Sequence, residues 1–113
     1  MHQARLEVSR HTSGEVHVVA LAGEIDHTTT GILRDALTTD GSYPRYTVLD
    51  FQGVTFMDSS GINVLVAANN AARRHDGWLR LAHTPQRVFD LLHIVGLDDV
   101  VALYSTVSDA LAA

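Results

Sequence analysis

The chain has 113 residues, 46% hydrophobic and 19% charged, a formal net charge of −5 and no cysteine. A single domain, expected to run over residues 1–113, can bury about two-thirds of its unfolded surface around one core, and this composition excludes disorder. The eight basic residues are scattered, which argues against nucleic-acid and anionic-membrane partners, and the lack of cysteine removes disulfides, thiolate metal sites and a thiol nucleophile.

Met1-His2-Gln3-Ala4-Arg5 is followed by no apolar signal segment, and the longest apolar run, Val16 to Ala22 with His17 inside it, is too short to span a bilayer. A cytoplasmic location is therefore expected. Leu6, Val8 and Arg10 alternate with Arg5, Glu7 and Ser9, the period of a strand with one wet face, placed here at a sheet edge. That edge offers pairing to a second copy, although its charges count against it. Thr12-Ser13-Gly14-Glu15 reads as a turn, so Val16 to Ala22 forms a hairpin partner that Gly23-Glu24-Ile25-Asp26 closes. From Thr28 to Leu37 the apolar positions Ile32, Leu33, Ala36 and Leu37 have helical spacing, and Asp40-Gly41 stops the helix.

Tyr46 to Phe51 is the next strand, and the segment before it has the length of a crossover between parallel neighbours. Parallel neighbours deliver their carboxyl ends to one rim, so Gly23-Glu24-Ile25-Asp26 and Asp58-Ser59-Ser60-Gly61 should emerge side by side, where α/β sheets place their sites. A short turn after Phe51 leads to Asp58, and a helix follows from Ser59 to His75. Unrolled at about 100° per residue, it places Ile62, Leu65, Val66, Ala68 and Ala72 on the buried side. Asn63, Asn70 and Arg74 form a narrow polar stripe with Ala67 between them and Ser59 close by. Trp78 to Ala82 is a fourth strand. Thr84-Pro85 opens a helix as capping hydroxyl and first-turn proline, with Val88, Leu91, Leu92 and Val95 facing the core and Gly96 ending it. A short strand, Val100 to Leu103, and a small helix marked by Val107, Ala110 and Leu111 complete the chain.

Two readings of Asp58-Ser59-Ser60-Gly61 stand side by side. Ser and Asp satisfy the unpartnered N–H groups of a helix start, so the cluster is accounted for as a cap; equally, Ser59 is placed to receive a phosphate. Phosphorylation adds about 1.5 to 2 negative charges where a helix tolerates an anion, so the fold survives. A partner bound over the cap is repelled, because Asp58 and Asp26 already make the rim acidic. Two unit charges about 4 Å apart at an effective dielectric of about 20 interact by about 4 kcal/mol, of which screening leaves about one or two. The stripe likewise reads either as a solvated face or as a docking face of short side chains that a partner approaches closely.

Other chemistry fits the chain less well. The seven histidines show no helical His-x-x-x-His pair and no cysteine companion, so no metal is expected. A Ser59-His27-Asp26 hydrolase lacks a Gly-x-Ser-x-Gly elbow, and adjacent residues rarely orient one another as a triad requires. No Walker loop or Gly-x-Gly-x-x-Gly provides a phosphate cradle, and no cofactor is implied.

Gly23-Glu24-Ile25-Asp26-His27, followed one helix and one strand later by Phe56-Met57-Asp58-Ser59-Ser60-Gly61-Ile62, closely resembles the STAS domain of bacterial anti-sigma factor antagonists, over essentially the whole chain. The resemblance implies a single α/β domain, a mixed and mostly parallel sheet of four to five strands with helices packed on it. It implies no enzyme but a regulator that binds an anti-sigma factor, a serine kinase with the histidine-kinase type of ATP-binding fold, and so releases a sigma factor. The kinase phosphorylates the antagonist and ends the interaction, and a PP2C-type serine phosphatase resets it. By position the acceptor is Ser59, with Ser60 as the fallback. Asp26 and Asp58 match the two acidic positions beside it, so that the partner-binding set is Asp26, Asp58, Ser59, Ser60, Gly61, Asn63, Ala67, Asn70 and Arg74. One departure bears on the kinase partner: Asn63 stands where many members have glycine. The alternatives are a STAS scaffold subunit of a signalling complex or transporter without phosphate turnover, and a small phosphocarrier.

Overall fold

The computed structural model describes residues 5–113, so the reading of Met1-His2-Gln3-Ala4 as free of a signal segment lies outside the described residues. Five strands form one sheet in the order β1-β2-β3-β4-β5. Strand β1 (Leu6–Ser13) pairs antiparallel with β2 (Val16–Ile25), and β2, β3 (Tyr46–Met57), β4 (Trp78–Ala82) and β5 (Ala102–Tyr104) are mutually parallel. The fold class is thus the one expected.

Alternation along the strands assigns the two sheet faces. Val19 and Leu21 of β2, Leu49 and Phe51 of β3 and Leu79 and Leu81 of β4 point to one side. Helices α1 (Thr30–Leu37), α2 (Ser59–Arg74) and α3 (Gln86–Ile94) cover them with Leu33, Leu37, Leu65, Ala68, Val88 and Leu92. The opposite side is covered by α4 (Val107–Ala112), whose Ala110 packs with Val48 and Ala82. Arg80, stacked on Trp78 with its guanidinium carbon 3.6 Å from the ring centroid, donates to the Ala110 and Ala113 carbonyls at 2.9 and 3.0 Å and holds the end of this short helix.

Four expectations need correction. The turn after Phe51 is absent: β3 continues to Met57 against β2 by means of two register shifts, beside Ala20/Ala22 and Gly23/Glu24. Bulges let a polar Gln52-Gly53 pair stay in the ladder and bend the strand instead of ending it. The first helix starts at Thr30, because Thr28 and Thr29 are used in the turn before it, and its Ile32 is 45% exposed. In α2, Val66 is exposed and Val64, Asn69 and Ala71 are buried. Strict helical geometry puts Val66 about 20° from Ser59, so its apolar character alone suggested burial. Finally, Thr84 does not cap α3: Pro85 occupies the cap position with no side-chain hydrogen bond, the Thr84 hydroxyl is buried without a partner, and Val95 is half exposed.

Candidate functional site

The carboxyl ends of β2 and β3 lie side by side, Ile25 opposite Met57. The Asp58 N–H donates to the Ile25 carbonyl at 3.1 Å, so the start of α2 is tied directly to the residue before Asp26. Asp58 takes the N-cap position in extended conformation, and its Oδ1 accepts the Ser60 N–H at 2.8 Å. This engages one of the four N–H groups that the first turn leaves unpaired. The next residue, Ser59, is exposed, whereas Ser60 is half-buried.

Close contact beneath the cap depends on Gly61. A methyl group there would lie 2.7 Å from Ile25 Cγ2 and 2.9 Å from Met57 Cγ and Sδ. Gly61 is therefore buried, a packing position, and not part of the accessible rim in which the sequence reading had included it. Asp58, Ser59 and Ser60 reach the rim above it.

Asp26 is held by its own turn. Its Oδ1 accepts the Thr28 hydroxyl at 2.6 Å and the Thr28 N–H at 2.8 Å. These bonds, the side-chain one first, draw the carboxyl below its ordinary range and keep it ionised at neutral pH. The same bonds leave Asp26 engaged with Thr28 and not with His27, as a catalytic triad would need. Beneath the turn, buried Thr29 accepts the Asp26 N–H and donates to the Glu24 carbonyl, both at 2.9 Å. The sequence reading missed Thr28 and Thr29. The signal available for the first was Asp-x-Thr, the spacing of an Asx turn.

From Ser59 the exposed surface of α2 continues through Asn63, Ala67, Asn70 and Arg74, all solvent-facing as the helical spacing implied. Val66 joins this face, and Phe56, 39% exposed at the end of β3, adds a second apolar side chain beside the cap. The rim thus sets an exposed hydroxyl beside a helix face of short polar and apolar side chains. A cavity of about 700 Å³ among Arg10, His17, Asp35 and Thr39 opens at the other end of β2. Among the described residues no three His, Asp or Glu come together to hold a metal ion, and no helix is long and apolar enough to cross a membrane.

Residues 7–110 match the STAS domain family. The anti-sigma-B factor antagonist of Bacillus subtilis is 30% identical over 83 residues, 74% of this chain and 76% of that protein, and its counterpart in Listeria monocytogenes is 33% identical over 89 residues, 75% of each. Among solved structures, an anti-sigma factor antagonist from Mycobacterium paratuberculosis superposes with a TM-score of 0.84 at 28% identity, covering 96% of this chain and 92% of the other. The chain belongs to the STAS domain family.

Proposed function

We propose that this protein is an anti-sigma factor antagonist: a regulator without catalytic activity that binds an anti-sigma factor through the Ser59 rim and the exposed face of α2. The observation that carries this reading is the exposed Ser59 hydroxyl at the mouth of a 16-residue helix, one residue after a capping aspartate tied to the Asp26 turn. Similarity to relatives named as antagonists over three-quarters of their length supports it. The partner is a serine kinase with the histidine-kinase type of ATP-binding fold, Ser59 is its acceptor, and a PP2C-type phosphatase reverses the modification in the cytoplasm. Ser59 is favoured over Ser60, which is half-buried and has its N–H committed to Asp58. Asp26, Asp58, Ser60, Asn63, Ala67, Asn70 and Arg74 contribute to docking.

A phosphate on Ser59 gains from the helix dipole within the protein, yet adds a dianion to a rim where Asp26 is already ionised. Loss of about 1.4 kcal/mol is tenfold in affinity, and repulsion plus desolvation of the new charge meets that amount. Ser59→Asp should weaken binding to the ATP-loaded anti-sigma factor at least about tenfold while leaving Tm nearly unchanged, and Ser59→Ala should bind but resist switching. Unchanged affinity of Ser59→Asp would contradict the switch. A scaffold without phosphate turnover instead predicts no phosphate on Ser59 in protein taken from its own cells, read by mass spectrometry.

A further inference from the structure

We propose that β1 is a self-complementary edge through which two copies of this chain join into one continuous sheet. The phase of the β1–β2 ladder carries the inference. Glu24 N–H donates to the Arg5 carbonyl at 2.8 Å, and the pairing runs without interruption from Leu6 opposite Gly23 to Ser13 opposite Val16. Hydrogen-bonded and non-hydrogen-bonded pairs alternate along an antiparallel ladder. Glu7, Ser9, His11 and Ser13 therefore direct their backbone groups at β2, while Leu6, Val8, Arg10 and Thr12 direct theirs outward. Among the described residues β1 has no strand on its other side.

A second copy laid antiparallel across a two-fold axis at Ser9 meets all of these outward groups. Leu6 stands opposite the second copy's Thr12 and Val8 opposite its Arg10, each pair exchanging two bonds, about eight along the edge. The intervening non-hydrogen-bonded pairs bring side chains closer; here they set Glu7 against the second copy's His11, twice by symmetry, and Ser9 against Ser9. A carboxylate facing an imidazole N–H is complementary across strands. Moving the axis to Arg10 opposes two guanidinium groups and leaves Leu6 unpaired. Moving it to Val8 sets His11 against the second copy's Arg5. The charges that argue against edge pairing on a single strand thus become complementary in one register.

The helix side of the edge is also open to a neighbour. Val8 and Arg10 with Ile32, Asp35 and Ala36 of α1 line a cavity of about 300 Å³, in which Ile32 is 45% exposed. Joined strands run antiparallel, so the two Ser59 rims point to opposite ends of the doubled sheet and both stay free. The inference does not depend on the function proposed for Ser59.

Because the chain has no cysteine, Ser9→Cys is a clean probe of this register. Two Cα atoms across a non-hydrogen-bonded pair lie roughly 4.5 Å apart, within the range a disulfide spans. Under mild oxidation Ser9→Cys should form an interchain disulfide at least about tenfold faster than Ser13→Cys, whose symmetry mate lies at the far end of the strand. In sedimentation the parent protein should approach dimer mass as concentration rises. His11→Glu, which faces Glu7 twice, should shift it toward monomer, and Glu7→Arg with His11→Glu should restore the dimer. All four substituted positions are exposed, so folding is not at issue. A protein that stays monomeric at its highest soluble concentration, Ser9→Cys crosslinking no faster than Ser13→Cys, or a dimer indifferent to His11→Glu overturns the proposal.

Discussion

Gly61→Ala tests whether the approach of α2 to the sheet rests on the missing side chain at its first turn. The added methyl would stand 2.7 Å from Ile25 Cγ2 and 2.9 Å from Met57 Cγ and Sδ. Ile25 is fully buried and Met57 is 5% exposed, so neither swings into solvent. Met57 can adjust through its flexible thioether, but Ile25 is branched at Cβ and stiff, and its methyl makes the shortest contact. Overpacking a filled site costs about 1–3 kcal/mol, and the helix propensity of alanine recovers at most about 1 kcal/mol of it. A net loss of about 1–2 kcal/mol corresponds to a fall in Tm of roughly 4–12 °C for a domain of this size. Calorimetry against the parent protein, with urea unfolding to confirm an unchanged m-value, measures it. A Tm equal to or above the parent's would refute the reasoning, since it would mean that the helix start can lift off the strand ends without cost.

Three further outcomes follow from the same geometry. Thr29→Val keeps the shape but removes the acceptor of the Asp26 N–H and the hydroxyl donor to the Glu24 carbonyl, and should cost about 1–3 kcal/mol in chemical denaturation, with Thr29→Ser losing less. Asp58→Ala should lose about 1 kcal/mol through the cap, while Asp58→Asn, which caps equally well, should hold Tm and remove only charge from the rim. His93 hydrogen-bonds Asp98 at 2.8 Å, which raises the imidazole pKa. The folded state then holds the proton more tightly than the unfolded chain, so this contribution is complete below the ordinary histidine pKa and is lost as pH rises through the raised value. The Tm difference between the parent and His93→Gln should accordingly narrow from mildly acidic to alkaline pH.

Much of the architecture was legible because periodicity is a local property. Alternation at Leu6 and Val8, the apolar run of β2 and the Trp78–Ala82 segment placed the strands, and Gly96, left-handed at φ 77°, ended α3 where a glycine stop was expected. The segments most in error were those where polarity and pairing disagree. Gln52-Gly53 has the composition of a turn, yet β2 alongside supplies partners that keep it extended. The Thr84-Pro85 pair has the composition of a cap, yet its hydroxyl finds no N–H to accept.

The sequence by itself determined the order of the elements, the meeting of Asp26 and Asp58 on one rim, and the direction in which Ser59, Asn63, Ala67, Asn70 and Arg74 face, since each follows from chain spacing and a helical or extended period. Only the tertiary structure decided how wide each buried arc is and what lies beneath the rim. The exposure of Ile32 and Val66, the burial of Gly61 against Ile25 and Met57, and the Thr29 latch on Asp26 depend on neighbours distant in sequence or on a turn that tertiary packing closes. Periodicity gives a face its direction, and contact with the rest of the molecule sets its limits.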